Sequence, residues 1–264
     1  MKKVVLFLCV IGVAAMMTSC LEGGNNYQDQ GFVYIAVSND VTPAVRYGRA
    51  FNGLFTARLI TNSHIQAGMI TVPGTGQTVD FTPGSFFFFQ YGWEEANGHT
   101  SLGENRYADN VNIFGLAEIQ RTSLNFAPAP EGTPEEQFSS FAERPAFFPD
   151  AAFWSDNWVI GFQYIGGEEM PLVRFYKRET SETAPNDIEI DVRISHIPQV
   201  SNPRQRDNFI AFNMAGVRQM FQQDSSRDVR VRFNYYLAPI SSGQEPRAMS
   251  TDWLPWRLVG TAQQ

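Results

Sequence analysis

Cysteine is nearly absent from this chain of 264 residues, which has only Cys9 and Cys20. Cys9 lies in an N-terminal segment that reads as removable, so no disulfide, CxxC redox pair or thiolate zinc site can be assembled. Histidine is scarce as well. His64, His99 and His196 are too far apart for a local metal-ligand spacing, and no metal is expected. Lysine is confined to Lys2, Lys3 and Lys177, and the formal net charge is −7. An acidic chain repels phosphate backbones and anionic head groups, which makes nucleic acid an unsuitable partner. No apolar run reaches the ~20 residues that a membrane-spanning helix needs. The longest, Val4 to Met17, has fourteen residues. GxSxG, HExxH and P-loop patterns are missing, and Gly74-Thr75-Gly76 lacks the third glycine of a dinucleotide fingerprint. No catalytic residue and no cofactor are expected.

What the chain does have begins at its first residue. Lys2 and Lys3 give a positive start, Val4 to Met17 an apolar stretch, and Thr18-Ser19 lead straight into Cys20. That order is a secretory signal. Its ending resembles the lipobox of bacterial lipoproteins, with Met17 where Leu is commonest. The resemblance implies cleavage after residue 19 and acylation of Cys20, with palmitate as a fitting chain. Two or three acyl chains hold a protein on a bilayer without any transmembrane helix, at about 0.8 kcal/mol per buried CH₂. Residues 20–30 then form a lipidated tether, and the mature chain of about 245 residues carries a charge of about −9. The expected place is the bacterial envelope, most naturally the outer membrane, with the exposed face left open.

From Gly31 the chain reads as short strands punctuated by Gly and Pro. The segments are Gly31–Val37, Leu54–Thr61, Gln66–Val72, Thr78–Phe81, Ser85–Tyr91 and Val111–Arg121. Their spacing suggests a small barrel over residues 31–124. Phe86 to Phe89, flanked by Ser85 and Gln90, reads as a buried strand. Residues 125–148 break the rhythm as a linker. Thr133-Pro134-Glu135-Glu136 has the form of a helix start, with Phe138 and Phe141 on one face.

Residues 149–264 return to strands. Ile188, Ile190, Val192 and Ile194 alternate with Glu189, Asp191, Arg193 and Ser195, and Val229 to Tyr235 alternates with Arg230 and Arg232. These two strands are expected to be neighbours, with Glu189 and Asp191 across from Arg230 and Arg232. Asn213 is expected to cap a short helix near 214–221. Pro255 confines the last strand to an edge.

The order of Trp158–Tyr164, Asp187–Arg193, Phe209–Met214 and Asp228–Phe233 after the Thr133 insertion resembles the NigD-like lipoproteins of Bacteroidetes. The resemblance implies an all-β chain, an N-terminal OB-like barrel followed by a C-terminal immunoglobulin-like β-sandwich. It transfers no site residue. Residues able to stack on a ligand are then sought among exposed aromatics. Trp253 and Trp256, made irregular by Pro255, are the candidates. The function expected is that of a non-catalytic, lipid-anchored envelope protein binding a protein or glycan partner. A surface polysaccharide hydrolase and a structural or assembly subunit are the alternatives.

Overall fold

A computed structural model describes residues 26–38, 44–51, 57–72, 76–102, 105–147, 151–178, 185–221, 227–241 and 243–258. The architecture is all-β. The first strands are β1 (Asn26–Ser38), β2 (Val45–Phe51) and β3 (Ala57–Ile60), followed by a one-turn helix α1 (Ser63–Ala67). A small hairpin, β4 (Met69–Thr71) with β5 (Thr78–Asp80), leads into β6 (Phe86–Glu94). Next come β7 (His99–Leu102), β8 (Asn105–Ala108) and the long β9 (Asn112–Asn125).

Pairing runs β9-β6-β1-β2-β3-β8, with β3 parallel to β8 and the other pairs antiparallel. Thr61 N–H donates to the Ala108 carbonyl, and Val111 N–H donates to that of Thr61. The circuit therefore closes where β8 runs on into β9, as in an OB-like barrel. Inside it pack Val33, Ile35, Ile60, Phe81, Phe87 and Phe89, all with no exposed surface. The Phe-rich strand is thus buried, as its composition implies.

Gln66–Val72, expected to be a strand, begins instead as the end of α1. The Asn62 side-chain oxygen accepts from Ile65 N–H at 2.8 Å, and Gly68 closes the turn at φ 84°. An N-cap Asn and a left-handed Gly outweigh the first part of a seven-residue strand pattern. The Asn62 amide also donates to the Val111 carbonyl, tying the helix to the barrel seam.

Chain order continues with β10 (Ser140–Phe141), β11 (Ala146–Phe147), a helical turn α2 (Ala151–Trp154), β12 (Asn157–Gly166) and β13 (Leu172–Arg178). Then follow β14 (Asp187–His196), β15 (Arg204–Asn213), α3 (Ala215–Met220), β16 (Arg227–Leu237), β17 (Arg247–Ser250) and β18 (Leu254–Leu258). One sheet joins β10 and β11 to β12, then β15, then the end of β9. The other runs β9-β13-β14-β16, with β17 and β18 both on β16. Between the sheets lie Trp158, Ile160, Phe212, Phe175, Val192 and Phe233, among others. α3 stands at the expected place, but Met214 rather than Asn213 holds the cap position, without a side-chain cap bond; Asn213, one residue earlier, accepts from Ala215 N–H through Oδ1 at 2.8 Å.

The helix expected from Thr133 does not form. Residues 133–139 are irregular and take no helical turn, and isolated bridges join Glu136 to Ile194 and Phe138 to Leu237. The Gln137 side chain donates to the carbonyls of Pro134 and Glu135, which an α-helix would need as acceptors. Burial decides the outcome. Phe138 packs on Phe162, and Phe141 stacks on Tyr235 at 4.4 Å.

β9 ties the two halves together. Asn112–Ile119 pairs with β6, Gln120–Ser123 with β15, and Leu124–Asn125 with β13. Across this spine the outer faces of barrel and sandwich share a small apolar cluster around Trp154, which is 1% exposed. Trp154 meets Phe32, Phe51 and Phe86 edge-on, and its Nε1–H donates to the Arg49 carbonyl at 3.0 Å.

Candidate functional site

On the outer face of the second sheet, alternation presents Arg174, Tyr176 and Arg178 from β13, Asp187, Glu189, Asp191 and Arg193 from β14, and Arg230, Arg232, Asn234 and Tyr236 from β16. Register arranges these into rows. Asp187 lies across from Arg230, and the guanidinium donates twice to the carboxylate, at 2.8 and 2.6 Å. In the next row Glu189 accepts from Arg232 and, at 3.0 Å, from Asn234, with Arg178 3.9 Å away on the other side. Asp191 comes third and takes Arg178 at 3.5 Å. Burial holds its carboxyl above the usual carboxylate value, against the pull of Arg178 and Arg193.

The expected strand pairing is therefore present, but shifted by one row. Asp187 and Glu189, rather than Glu189 and Asp191, face the two arginines. The two strands are parallel, so their stagger is set by the sheet and not by a connecting turn.

The fourth row differs from the others. Arg174 lies directly across from Arg193 in the register, and Arg193 acts together with Arg178 on the Asp191 carboxyl. Like charges in directly opposed positions are unfavourable. Arg193 leans over the Tyr236 ring at 4.5 Å and donates to the Gly132 carbonyl at 3.5 Å. Beside this row the segment 126–133 walls an open cleft of about 470 Å³, lined among others by Phe126, Lys177, Arg178, Asp191, Arg193 and Tyr236. Phe126 is 57% exposed, an unusual state for a phenylalanine on a face otherwise covered by ion pairs.

Trp253 and Trp256 do not form one platform. Trp256 is 3% exposed and meets Trp158 edge-on at 5.5 Å inside the sandwich, so its ring faces are closed to a ligand. Trp253 is half-buried outside, where Arg232 and Arg230 stand over its ring at 4.4 and 5.1 Å. Strand alternation explains the split, since Leu254, Trp256 and Leu258 all point inward from β18. Cys20 lies outside the described residues. His64 and His196 are exposed and far apart in the fold, and no group of three or more metal-ligating side chains occurs among the described residues.

A second polar cluster sits at one end of the barrel. Arg58 lies 3.7 Å over the Trp93 ring, and Trp93 stacks on Tyr27 at 4.5 Å. Tyr91 donates to Asp29 at 3.4 Å, and burial pushes its phenol well above the ordinary value. These groups brace the start of β1 against β6.

Sequence reasoning missed Arg174, Lys177 and Phe126. The first two sit in an Arg-Phe-Tyr-Lys-Arg run, and their partners become visible only once β13 is laid beside β14.

The fold and this face define an all-β protein of two packed units, with a cleft on the second that is lined by Lys177, Arg178 and Arg193 together with Glu131 and Asp191. Neither a family profile nor a curated protein sequence matches the chain. Solved structures do. A protein of unknown function, DUF1344, from Bacteroides vulgatus is similar with TM-score 0.50 at 11% identity, covering 89% of this chain and 93% of its own. An uncharacterized protein from Parabacteroides merdae gives TM-score 0.50 at 9% identity, with 88% and 98% covered. A NigD-like immunity protein from Bacteroides caccae gives TM-score 0.46 at 9% identity, with 84% and 91% covered. At these identities the likeness is one of fold.

Proposed function

We propose that this is a lipid-anchored, non-catalytic protein of the bacterial envelope, held at the outer membrane by acyl chains on Cys20. Its sandwich presents the cleft face to a protein or glycan partner. The proposed division is a tether over residues 20–30, a barrel over 31–124, and a sandwich over 149–264 reached through 125–148. The observation that carries the binding half is the cleft beside segment 126–133, with an exposed Phe126 next to Arg178 and Arg193 and to the carboxylates Glu131 and Asp191. Two carboxylates line the cleft, Glu131 and Asp191, and Asp191 already engages Arg178, whereas a glycosidase needs both of its carboxylates placed across a scissile bond. Anchoring rests on the Lys2-Lys3 start, the apolar run and Cys20. Among the described residues no helix is long and apolar enough to cross a membrane.

The test is metabolic labelling with radioactive palmitate followed by membrane fractionation. The native chain takes up label and stays with the membrane, whereas Cys20→Ala takes up none and is released. Equal labelling and retention of the two would end the anchoring reading. Affinity capture from envelope extracts with the full chain tests the other half, with Arg193→Ala as the control that loses the partner.

A further inference from the structure

Three strands of the barrel share one rim. β1 starts there at Asn26, β6 finishes at Glu94 and β9 starts at Asn112, because β6 is antiparallel to both of the others. Two large side chains stay uncovered at this rim, Tyr27 at 44% exposure and Phe114 at 62%. Tyr27 lies across from Trp93 and stacks on its ring at 4.5 Å, and Arg58 stands 3.7 Å over that ring. Phe114 belongs to the other face of the same strands, by the alternation of Gly92 with Trp93. The register of β6 with β9 slips between Gln90 and Tyr91, which leaves Phe114 as the extra residue of a bulge. Its ring covers Gly92, where an added Cβ would come within 3.1 Å of the ring and 2.7 Å of the Tyr27 carbonyl oxygen. Each aromatic is thus held by a neighbour, one on either side of the strand ends.

What sets these two apart from singly exposed apolar side chains elsewhere is the point at which the chain reaches the rim. Cys20 is six residues before Asn26. At no more than ~3.6 Å per residue, acyl chains on Cys20 keep the rim within about 22 Å of the lipid. Held that close, a weak second contact needs no large area, because its encounter with the bilayer has become intramolecular. A tyrosine ring suits the head-group layer, where one end is apolar and the other wet. Charge at the rim is mixed. Arg58 and Asp29 both act on the Tyr91 phenol, and Glu94 is exposed beside them, which leaves little attraction for anionic lipid and favours a zwitterionic surface. The sandwich is remote from this contact. Its pairing with β9 begins at Gln120, eight residues beyond Asn112 and about 27 Å along an extended strand.

We propose that the rim at the start of β1 rests on the bilayer that holds Cys20, with Tyr27 and Phe114 in the head-group layer and the sandwich turned away from it. This rests on the reading of Cys20 as acylated, and adds a second contact with the same lipid surface. It leaves the cleft of the sandwich facing outward, free for a partner.

Spin labels on the acylated full-length protein in phosphatidylcholine vesicles test it. On the anchoring reading Cys9 is removed and Cys20 is acylated, so one introduced cysteine is the sole free thiol. Asn112→Cys puts a nitroxide at the rim without touching either aromatic, and Met249→Cys puts one on β17 of the sandwich. The label at 112 is expected to collide more with dissolved oxygen than with a water-soluble nickel chelate, and the label at 249 the reverse. Adding Tyr27→Ser and Phe114→Ser together should return the label at 112 to the water-exposed ratio, with palmitate labelling and circular dichroism unchanged. The unacylated Cys20→Ala chain gives a second measurement that does not depend on the anchor. Its partition onto the same vesicles should be weak and should fall about ten-fold with Phe114→Ser. A label at 112 as open to the chelate as that at 249, on an acylated and vesicle-bound protein, would overturn the proposal and leave anchoring intact. Absent partition of Cys20→Ala, or partition indifferent to Phe114→Ser, would overturn it as well. A Phe114-dependent dimer in the absence of lipid would do the same, in favour of contact between copies. Loss of palmitate uptake alone would remove the anchor, and the partition measurement would then decide the rim by itself.

Discussion

Replacing Trp154 by alanine tests whether barrel and sandwich fold as one cooperative unit. The side chain is 1% exposed and is surrounded by Phe32, Phe51 and Phe86 of the barrel, while its own backbone leads into the sandwich strand β12. Burying about 200 Å² of indole at ~25 cal/mol per Å² is worth ~5 kcal/mol, and measured Trp→Ala costs are about 3–5 kcal/mol. The Nε1–H bond to the Arg49 carbonyl, at 3.0 Å, is lost with it. A net loss of ~4 kcal/mol is expected, or a Tm lower by roughly 8–16 °C for a chain of this size. Because the contact lies between the units, the loss should fall on their coupling. A single calorimetric transition in the native protein should broaden or split into two. Trp154→Phe keeps most of the area and should lose only ~1–2 kcal/mol without splitting. A Trp154→Ala variant that melts in one transition within ~1 kcal/mol of native would show that β9 alone couples the halves.

Three further outcomes follow from the outer face and the barrel seam. Glu189, 8% exposed, is held by Arg232 and Asn234, so Glu189→Gln leaves Arg232 without its counter-charge. With that arginine side chain 30% exposed, the cost discounted for solvent is about 1–3 kcal/mol in urea unfolding, and more than ~4 or less than ~0.5 would contradict it. Asp191 has its folded pKa raised by burial, so the folded state holds its proton more tightly than the unfolded chain. Its contribution is therefore most favourable below the ordinary carboxylate pKa and is lost as pH rises through the folded value. Asp191→Asn should then stabilise at pH 7 and have no such advantage near pH 3, as read by paired denaturation curves; a gain that is the same at both pH values would refute the assignment. A Cβ on Gly48 would meet Val33 Cγ1 at 2.7 Å and Ile60 Cγ1 at 2.9 Å inside the barrel. Gly48→Ala should cost about 1–3 kcal/mol by overpacking, and a neutral result would mean that the seam between β1, β2 and β3 is looser than its geometry.

What could be read from residues alone was whatever one strand records about itself. The alternation of Ile188 to Ile194 and of Val229 to Tyr235 fixes which side of each strand is buried, and both are inward as read. The Phe86–Phe89 run states its burial through composition, and Pro255 states its edge position by lacking a donor. β2 was not legible, because Arg46 and Arg49 interrupt its apolar residues. Tyr47 Oη accepts from Arg49 in a local pair that no period reveals. α1 carried a cap at Asn62 and a stop at Gly68 within seven residues, too short for any helical period to show.

The misread helix at Thr133 is the more instructive failure. Its cap sequence is sound locally, yet Phe138 and Phe141 each find an aromatic neighbour from a distant strand, Phe162 and Tyr235. An isolated turn of helix is worth little in water, whereas two buried phenylalanines are worth several kcal/mol. The same logic displaced the charge ladder by one row. Two parallel strands joined through a distant crossover can slide by two residues without turning any side chain to the wrong face. What selects the observed register is then a difference between pairs. With Asp187 on Arg230 and Glu189 on Arg232, both arginines are answered and Asp191 is left for Arg178. Shifted one row, Asp187 would lose its arginine and Arg178 would lose Asp191 to Arg232.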